Sequence, residues 1–291
     1  MKFRSEYTAE EAGVKLNPAK GVLLVGSCFA DNISQRMQSC GWDAQNPFGV
    51  LFNPLSIAQA INLALQSDAD AADEIRKSIF ESPEAFHSWL FSSKKSGSSM
   101  AIAQKNISDT LTTFRDTLPQ CEALFVTFGT AWCYFLAENP EYVVANCHKQ
   151  PQQIFTRRRI SIEEITTSWQ PLLEAMHAKN PQMRVIFTVS PVRHLKDGFA
   201  GNARSKATLL LAVEQLCEHN EFCQYFPAYE IVNDDLRDYR FYADDLVHPS
   251  TQAVEYIWEK FLDTYVDTHN RELLRIGEKN IRRSNHKPII K

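Results

Sequence analysis

No run of about eighteen uncharged apolar residues occurs anywhere in the 291-residue chain, which argues against a helical membrane span. The opening MKFRSEYTAEEAGVKL holds no apolar h-region, so no secretory signal is expected and the cytoplasm is the expected location. A C-x-x-C pair is also missing. The seven cysteines (Cys28, Cys40, Cys121, Cys133, Cys147, Cys217 and Cys223) are odd in number and scattered through mostly apolar surroundings, which argues against a disulfide framework. Metal-ligand spacing is absent in the same way. Cys147-His148-Lys149, and Cys217-x-His219 with Cys223, are irregular groupings rather than two close pairs, so no metal and no other cofactor is expected. There is no internal repeat.

What is present is an ordinary globular composition, 44% hydrophobic and 23% charged. Its net charge of −4 is unevenly placed: residues 271–291 hold seven Lys/Arg against two Glu, about +5, which leaves about −9 on the rest. No aromatics interleave with the basic residues, so the tail reads as a solvated helix and a basic terminus rather than a nucleic-acid surface. The Arg157-Arg158-Arg159 run reads as a loop or the solvated start of the helix that ISIEEITTSW opens.

Short β-branched or aromatic runs alternate with longer helical patterns. Strands are expected at 21–25, 123–128, 184–189 and 223–228, and helices at 31–40, 55–65, 107–117, 161–178, 205–218 and 250–267. This is the pattern of a mainly parallel sheet covered by helices on both faces, a three-layer α/β/α sandwich. One domain over 1–270 is expected, with an insertion around 67–106, where SDADAAD and SSKKSGSSM break the rhythm, and a basic tail at 271–291. A second excursion, 138–160, reads as one strand and a loop.

In such a sheet the chemistry collects at the carboxyl ends of the strands. Gly26-Ser27-Cys28 follows the first strand, NPFGVLFNPLS (46–56) a short second one, and Gly129-Thr130-Ala131-Trp132 the third. SPVRHLKDG (190–198) follows the fourth, and FYADDLVHPS (241–250) precedes the last helix. Asp245 and His248 stand three apart before Pro249-Ser250. A carboxylate at that spacing can fold back on the imidazole, fixing its tautomer and stabilising its cation. Alone, D-x-x-H is equally a surface loop.

These segments together resemble the SGNH, or GDSL-type, hydrolases, and more closely the GSCFA family, a bacterial branch. The resemblance rests on GSCFA at 26–30, TFGTAW at 127–132, TVSPVRH at 188–194 and ADDLVHPS at 243–250. It implies a flavodoxin-like fold and an acyl hydrolase (esterase or thioesterase) or acyltransferase acting on a small acylated substrate, an acylated carbohydrate among the candidates. From the missing apolar span and the lack of aromatics among the basic residues, neither a nucleic acid nor a membrane is expected as partner.

Laid without a gap on G-D-S-L, Gly26-Ser27-Cys28-Phe29 puts Cys28 at the nucleophile position; a shift of one residue puts Ser27 there. The ungapped reading keeps an apolar residue after the nucleophile and is preferred. A thiol at a helix amino terminus beside a histidine is expected to ionise readily. Ser27 reads equally as a helix cap. His248 is then the base and Asp245 its orienting partner. The family's oxyanion asparagine falls on Ala131, so that donor is missing. Replacements to consider are the Cys28 amide, Gly49, Gly129, Thr130, Asn53 and Asn146, with Gly49 ranked first; Asn53 is also a plausible cap ahead of Pro54. Arg193 and His194 are expected to contact substrate, Arg193 at an anionic part, and Asn146 and His148 are further substrate-binding candidates. The missing asparagine keeps a second class open, a binding module for an acylated or glycan ligand.

Overall fold

The expected apolar runs become strands of one sheet in a computed structural model that describes residues 4–10, 12–13 and 15–285. The chain begins with β1 (Val22–Gly26), α1 (Cys28–Ser39), β2 (Ala44–Gln45), α2 (Pro54–Leu65) and α3 (Asp68–Ser78). A hairpin of β3 (Ile79–Glu81) and β4 (Phe86–Ser88) and a 3-10 turn at Ser93–Lys95 lead to α4 (Met100–Thr117). After β5 (Ala123–Phe128) come β6 (Trp132–Leu136), β7 (Asn139–Val144) and β8 (Phe155–Arg159). Then follow α5 (Ile162–Lys179), β9 (Arg184–Val189), α6 (Gly198–His219) and β10 (Cys223–Tyr225). The chain ends with α7 (Ala228–Glu230), which runs into a π-helical turn (Ile231–Leu236), α8 (Thr251–Tyr265) and α9 (Thr268–Asn285).

Among the described residues the central sheet has five parallel strands in the order β10-β9-β5-β1-β2. Numbered by their appearance in this sheet, that is the 2-1-3-4-5 order of a doubly wound fold, and the chain reverses direction between β1 and β5. Alternate strand residues enter opposite cores, as the period of two requires. Leu23, Val25, Leu124, Val126, Val185 and Phe187 pack with residues of α2, α4, α5 and α6, while Val22, Leu24, Phe125 and Ile186 pack with residues of α1 and α8. Both faces are covered, so the strands are mostly apolar.

Two segments differ from expectation. Residues 132–159 form a second sheet, antiparallel, in the order β7-β6-β8, instead of one strand and a loop. The arginine run is therefore the edge strand β8. Its guanidinium groups lie over aromatic rings that a loop would not offer: Arg157 Cζ is 4.6 Å from the Trp132 ring centre and Arg158 Cζ 4.5 Å from that of Phe135. The segment 67–106 holds α3, the β3-β4 hairpin and the start of α4. Residues 271–285 of the basic tail lie in α9, where Leu274 is buried and Glu278 pairs with Arg36 of α1. Residues 286–291 lie outside the described residues. No helix among the described residues is long and apolar enough to cross a membrane.

Candidate active site

β1 ends on a glycine because nothing larger fits. Gly26 has φ +134°, and a Cβ there would stand 2.2 Å from the Thr127 carbonyl oxygen of β5. The Ser27 amide donates to that same carbonyl at 3.1 Å, and the Leu51 amide donates to the Gly26 carbonyl at 2.8 Å, so the elbow is pinned from both sides. β1 thus runs one residue past the expected end. Ser27 is the N-cap of α1: its side chain is fully buried and its Oγ accepts the Phe29 amide at 3.3 Å. Cys28 is the first helical residue and is partly exposed.

Burial pushes the Cys28 thiol above its ordinary pKa. The amides of Cys28 and Phe29 oppose this, Asp31 adds to it, and Lys206 opposes it weakly. Desolvation outweighs the helix terminus, contrary to the expectation of a readily ionised thiol. Attack by this sulfur therefore calls for a base.

A dyad of the right kind stands on the loop before α8. The Asp245 Oδ1 accepts the amides of Val247 and His248, both at 2.9 Å, and Oδ2 accepts from His248 Nδ1 at 2.6 Å. Leu246 takes φ +58°, a strained conformation for a leucine that lets the chain fold back on itself. The two amides and the imidazole hold the Asp245 carboxyl down to about 2. With Nδ1 committed to Asp245, Nε2 is the nitrogen of His248 left for proton exchange.

The loop after β9 links this dyad to the elbow. The Arg193 amide donates to the Val247 carbonyl at 3.1 Å. The Arg193 guanidinium lies over Tyr242 and Tyr239, 4.1 and 5.1 Å from their ring centres. His194 stands edge-on to Phe52 with ring centres 5.9 Å apart. Its Nε2 is 3.4 Å from where a Cβ on Gly129 would stand, and that point is 3.2 Å from the Ser27 Cβ. Burial, then the charges of Lys206, His248 and Arg157, push the His194 imidazole down to about 4, so the ring is neutral at neutral pH. His194 thus senses His248 while standing beside the elbow.

Two features here were not read from the sequence. Lys206 of α6 is buried and donates to the carbonyls of Gly129 and Ser190, both at 2.6 Å, tying the carboxyl ends of β5 and β9 together. Its burial lowers the ammonium to about 7, an effect that Cys28 opposes. The signal was available: Lys206, Leu209, Val213 and Leu216 recur at helical spacing on the buried side, and a lysine in an apolar stripe is rarely buried without a task. Leu211 of the same helix is on its other side, 48% exposed. The second feature is a bidentate ion pair from Arg157 of β8 to Asp197, just past His194.

The other residues weighed for the site have these positions. The amides of Gly129 and Thr130 both donate to the Phe52 carbonyl, at 2.8 and 3.0 Å. The Thr130 hydroxyl contacts Ser205 Oγ at 3.1 Å and accepts the Trp132 amide at 3.1 Å. Asn53 caps α2, with Oδ1 accepting the Ser56 amide at 2.8 Å and Nδ2 donating to Ser56 Oγ at 2.9 Å. Gly49 has φ +68°, and its amide makes only a long bond, 3.3 Å, to the Asn46 carbonyl. The His148 ring sits against the β3-β4 hairpin, near the carbonyls of Ser88 (2.8 Å) and Phe91 (3.1 Å) and Ser93 Oγ (3.1 Å), and Asn146 Oδ1 accepts the His148 amide at 2.8 Å. The structure therefore gathers Ser27, Cys28, Gly129 and His194 at the switch point, with the Asp245-His248 loop bonded to the segment that carries His194. Asn146 and His148 belong to the hairpin region. No group of three or more His, Cys, Asp or Glu among the described residues could hold a metal ion.

A five-stranded doubly wound sheet with this cluster at its switch point defines an α/β protein whose candidate site lies at the carboxyl ends of β1 and β5. The model of the GSCFA family matches residues 21–261, and the chain belongs to that family. Among curated proteins none matches the sequence. Solved structures that are similar include a mutant acetyl esterase with an acetate ion, at 13% identity and a TM-score of 0.36 over 90% of this chain and 99% of that one. Another is a carbohydrate esterase family 3 protein from Talaromyces cellulolyticus, at 12% identity and a TM-score of 0.35 over 89% and 99% of the two chains.

Proposed function

We propose that the protein is an acyl hydrolase or acyltransferase working through a covalent acyl-enzyme on Cys28. The observation that carries this reading is the order at the elbow: Ser27 is buried as the helix cap, while the thiol of Cys28 heads α1 with partial exposure. As the sulfur bonds to the carbonyl carbon of an ester or thioester, His248 Nε2 takes the thiol proton and the π electrons move to the carbonyl oxygen. Collapse breaks the bond to the leaving group, which receives the proton from His248. Water, or an acceptor hydroxyl, then attacks the acyl carbon with His248 as base, and the sulfur leaves as thiol. Asp245 fixes the tautomer and steadies the imidazolium. The amide of Cys28, and that of Gly49 once it gives up its long bond to Asn46, are the backbone donors for the growing negative charge, and Arg193, over two tyrosines, meets an anionic or polar part of a small acylated substrate such as an acylated carbohydrate.

The occupied amides of Gly129 and Thr130 favour a second reading, a module that binds such a ligand without turning it over. Intact-mass spectrometry after incubation with p-nitrophenyl acetate separates the two. An acetyl adduct mapped to Cys28, in the wild type or accumulating in His248→Ala, supports the enzyme. Loss of the adduct in Ser27→Ala with retention in Cys28→Ala would overturn the choice of nucleophile, and no adduct in any variant would leave the binding module.

A further inference from the structure

Resting on that reading, we infer that His194 is the oxyanion donor that stands in for the missing asparagine, its Nε2–H pointing to the oxygen of the tetrahedral intermediate on Cys28.

The first support is elimination by hydrogen bonding. A donor serves an oxyanion only if it is free when the charge appears. The backbone amides of Gly129, Thr130 and Ala131, where such a donor is expected, are all taken, and in this segment only Trp132 Nε1, at the start of β6, shares with His194 the lack of a partner. The Gly129 and Thr130 amides are spent on Phe52, the Thr130 hydroxyl lies against Ser205, and the Ala131 amide donates to Ser205 Oγ at 2.8 Å. Asn53 is spent on Ser56.

The second support is a group that is free. His194 Nε2 is buried and has no hydrogen-bond partner. A buried polar nitrogen in that condition is costly, and a substrate atom is a ready explanation for it. Its position fits. Nε2 stands over Gly129 beside Ser27, the residue before the nucleophile, and a side chain at position 129 would intrude between them. The ring is steadied by Phe52, and its backbone by the bond from its amide to Asn202 Oδ1 at 2.9 Å.

The third support is electrostatic. Burial holds the ring neutral first, and Lys206 from α6, His248 from the loop before α8 and Arg157 from β8 add to it against the opposing charge of Asp197. A neutral imidazole can give its single N–H to an oxyanion without becoming a competing base. Protonation of His248 during attack reinforces that division of roles. In this arrangement the proton moves between Cys28 and His248 while His194 keeps its own.

The test compares reactions that do and do not build an oxyanion. An aldehyde probe, acetaldehyde, adds to a reactive thiol to give a tetrahedral hemithioacetal, whereas iodoacetamide alkylates sulfur by displacement and builds no oxyanion. His194→Ala is expected to lower kcat/KM for p-nitrophenyl acetate by about 10²- to 10³-fold and to weaken inhibition by acetaldehyde, with the rate of Cys28 alkylation unchanged. His194→Gln, which keeps an N–H donor near the Nε2 position, is expected to recover much of both losses. Unchanged aldehyde inhibition in His194→Ala, or an alkylation rate that falls in step with kcat, would overturn the assignment. If the wild type itself forms no acyl adduct and binds no aldehyde, the covalent reading fails first and takes this one with it.

Discussion

The His248 Nδ1 and the Asp245 Oδ2 stand 2.6 Å apart, and the other carboxylate oxygen is held by the amides of Val247 and His248 itself. The carboxylate is thus oriented by the backbone of the residue whose ring it positions. Asp245→Asn keeps an oxygen for the amides but turns an NH₂ toward Nδ1, which favours the wrong tautomer. A fall in kcat of about 10³- to 10⁴-fold with a nearly unchanged melting temperature is expected in steady-state assays.

Gly26 and Gly198 both have positive φ, yet they are predicted to respond differently. A Cβ at Gly26 would collide with the Thr127 carbonyl, whereas at Gly198 nothing lies within 4 Å. Gly198→Ala then carries only the backbone cost of its φ +68°, ψ 176° conformation, one essentially confined to glycine, about 1–3 kcal/mol. Gly26→Ala must also separate β1 from β5, and a loss beyond about 4 kcal/mol or failure to fold is expected in urea denaturation.

How much of this was legible in the sequence varied with the range of the interactions. Val22–Val25, Ala123–Phe128 and Arg184–Val189 announce themselves as strands because both their faces are buried. Asp245 and His248 were legible because their contact is local. The β6-β8 sheet was missed because the surface that stabilises Arg157 and Arg158 comes from Trp132 and Phe135, on another strand. The occupied amides at Gly129 and Thr130 depend on Phe52, far along the chain, and the lowered pKa of His194 depends on its burial and then on Lys206, His248 and Arg157, each from a different element.

Alkylation should single out Cys28 among the thiols, at alkaline rather than neutral pH. Burial raises its pKa, but pushes Cys147 to about 11, Cys121 and Cys217 to about 12 and Cys133 and Cys223 higher still, and Cys40, also raised, is buried beside Arg36 whereas Cys28 is partly exposed. Only thiolate reacts, so iodoacetamide at pH 9, followed by peptide mapping, is expected to label Cys28 first, with a rate still rising above pH 9. Labelling that is complete and pH-independent between 6 and 8 would contradict this ordering.

Lys206 ties the site to the pH dependence of folding. Its folded-state pKa is about 7 against an ordinary 10.5. Below pH 7 both states hold the proton, the cost of the buried charge is fully present, and this residue contributes no slope. Between pH 7 and 10.5 the unfolded chain keeps a proton that the native chain has released, so Lys206 makes stability rise with pH. Cysteines and tyrosines with raised pKa values act in the opposite direction over part of that window, so the wild-type curve alone does not isolate the lysine. The difference between wild type and Lys206→Met does. The substitution leaves the Gly129 and Ser190 carbonyls without their donor, a pH-independent cost of about 1–3 kcal/mol. It also removes a slope of up to about 1.4 kcal/mol per pH unit between pH 7 and 10. Urea denaturation of both proteins across that range is expected to show the wild type gaining stability relative to the variant as pH rises. Parallel curves would mean that Lys206 stays charged throughout and presents a full positive charge to Cys28.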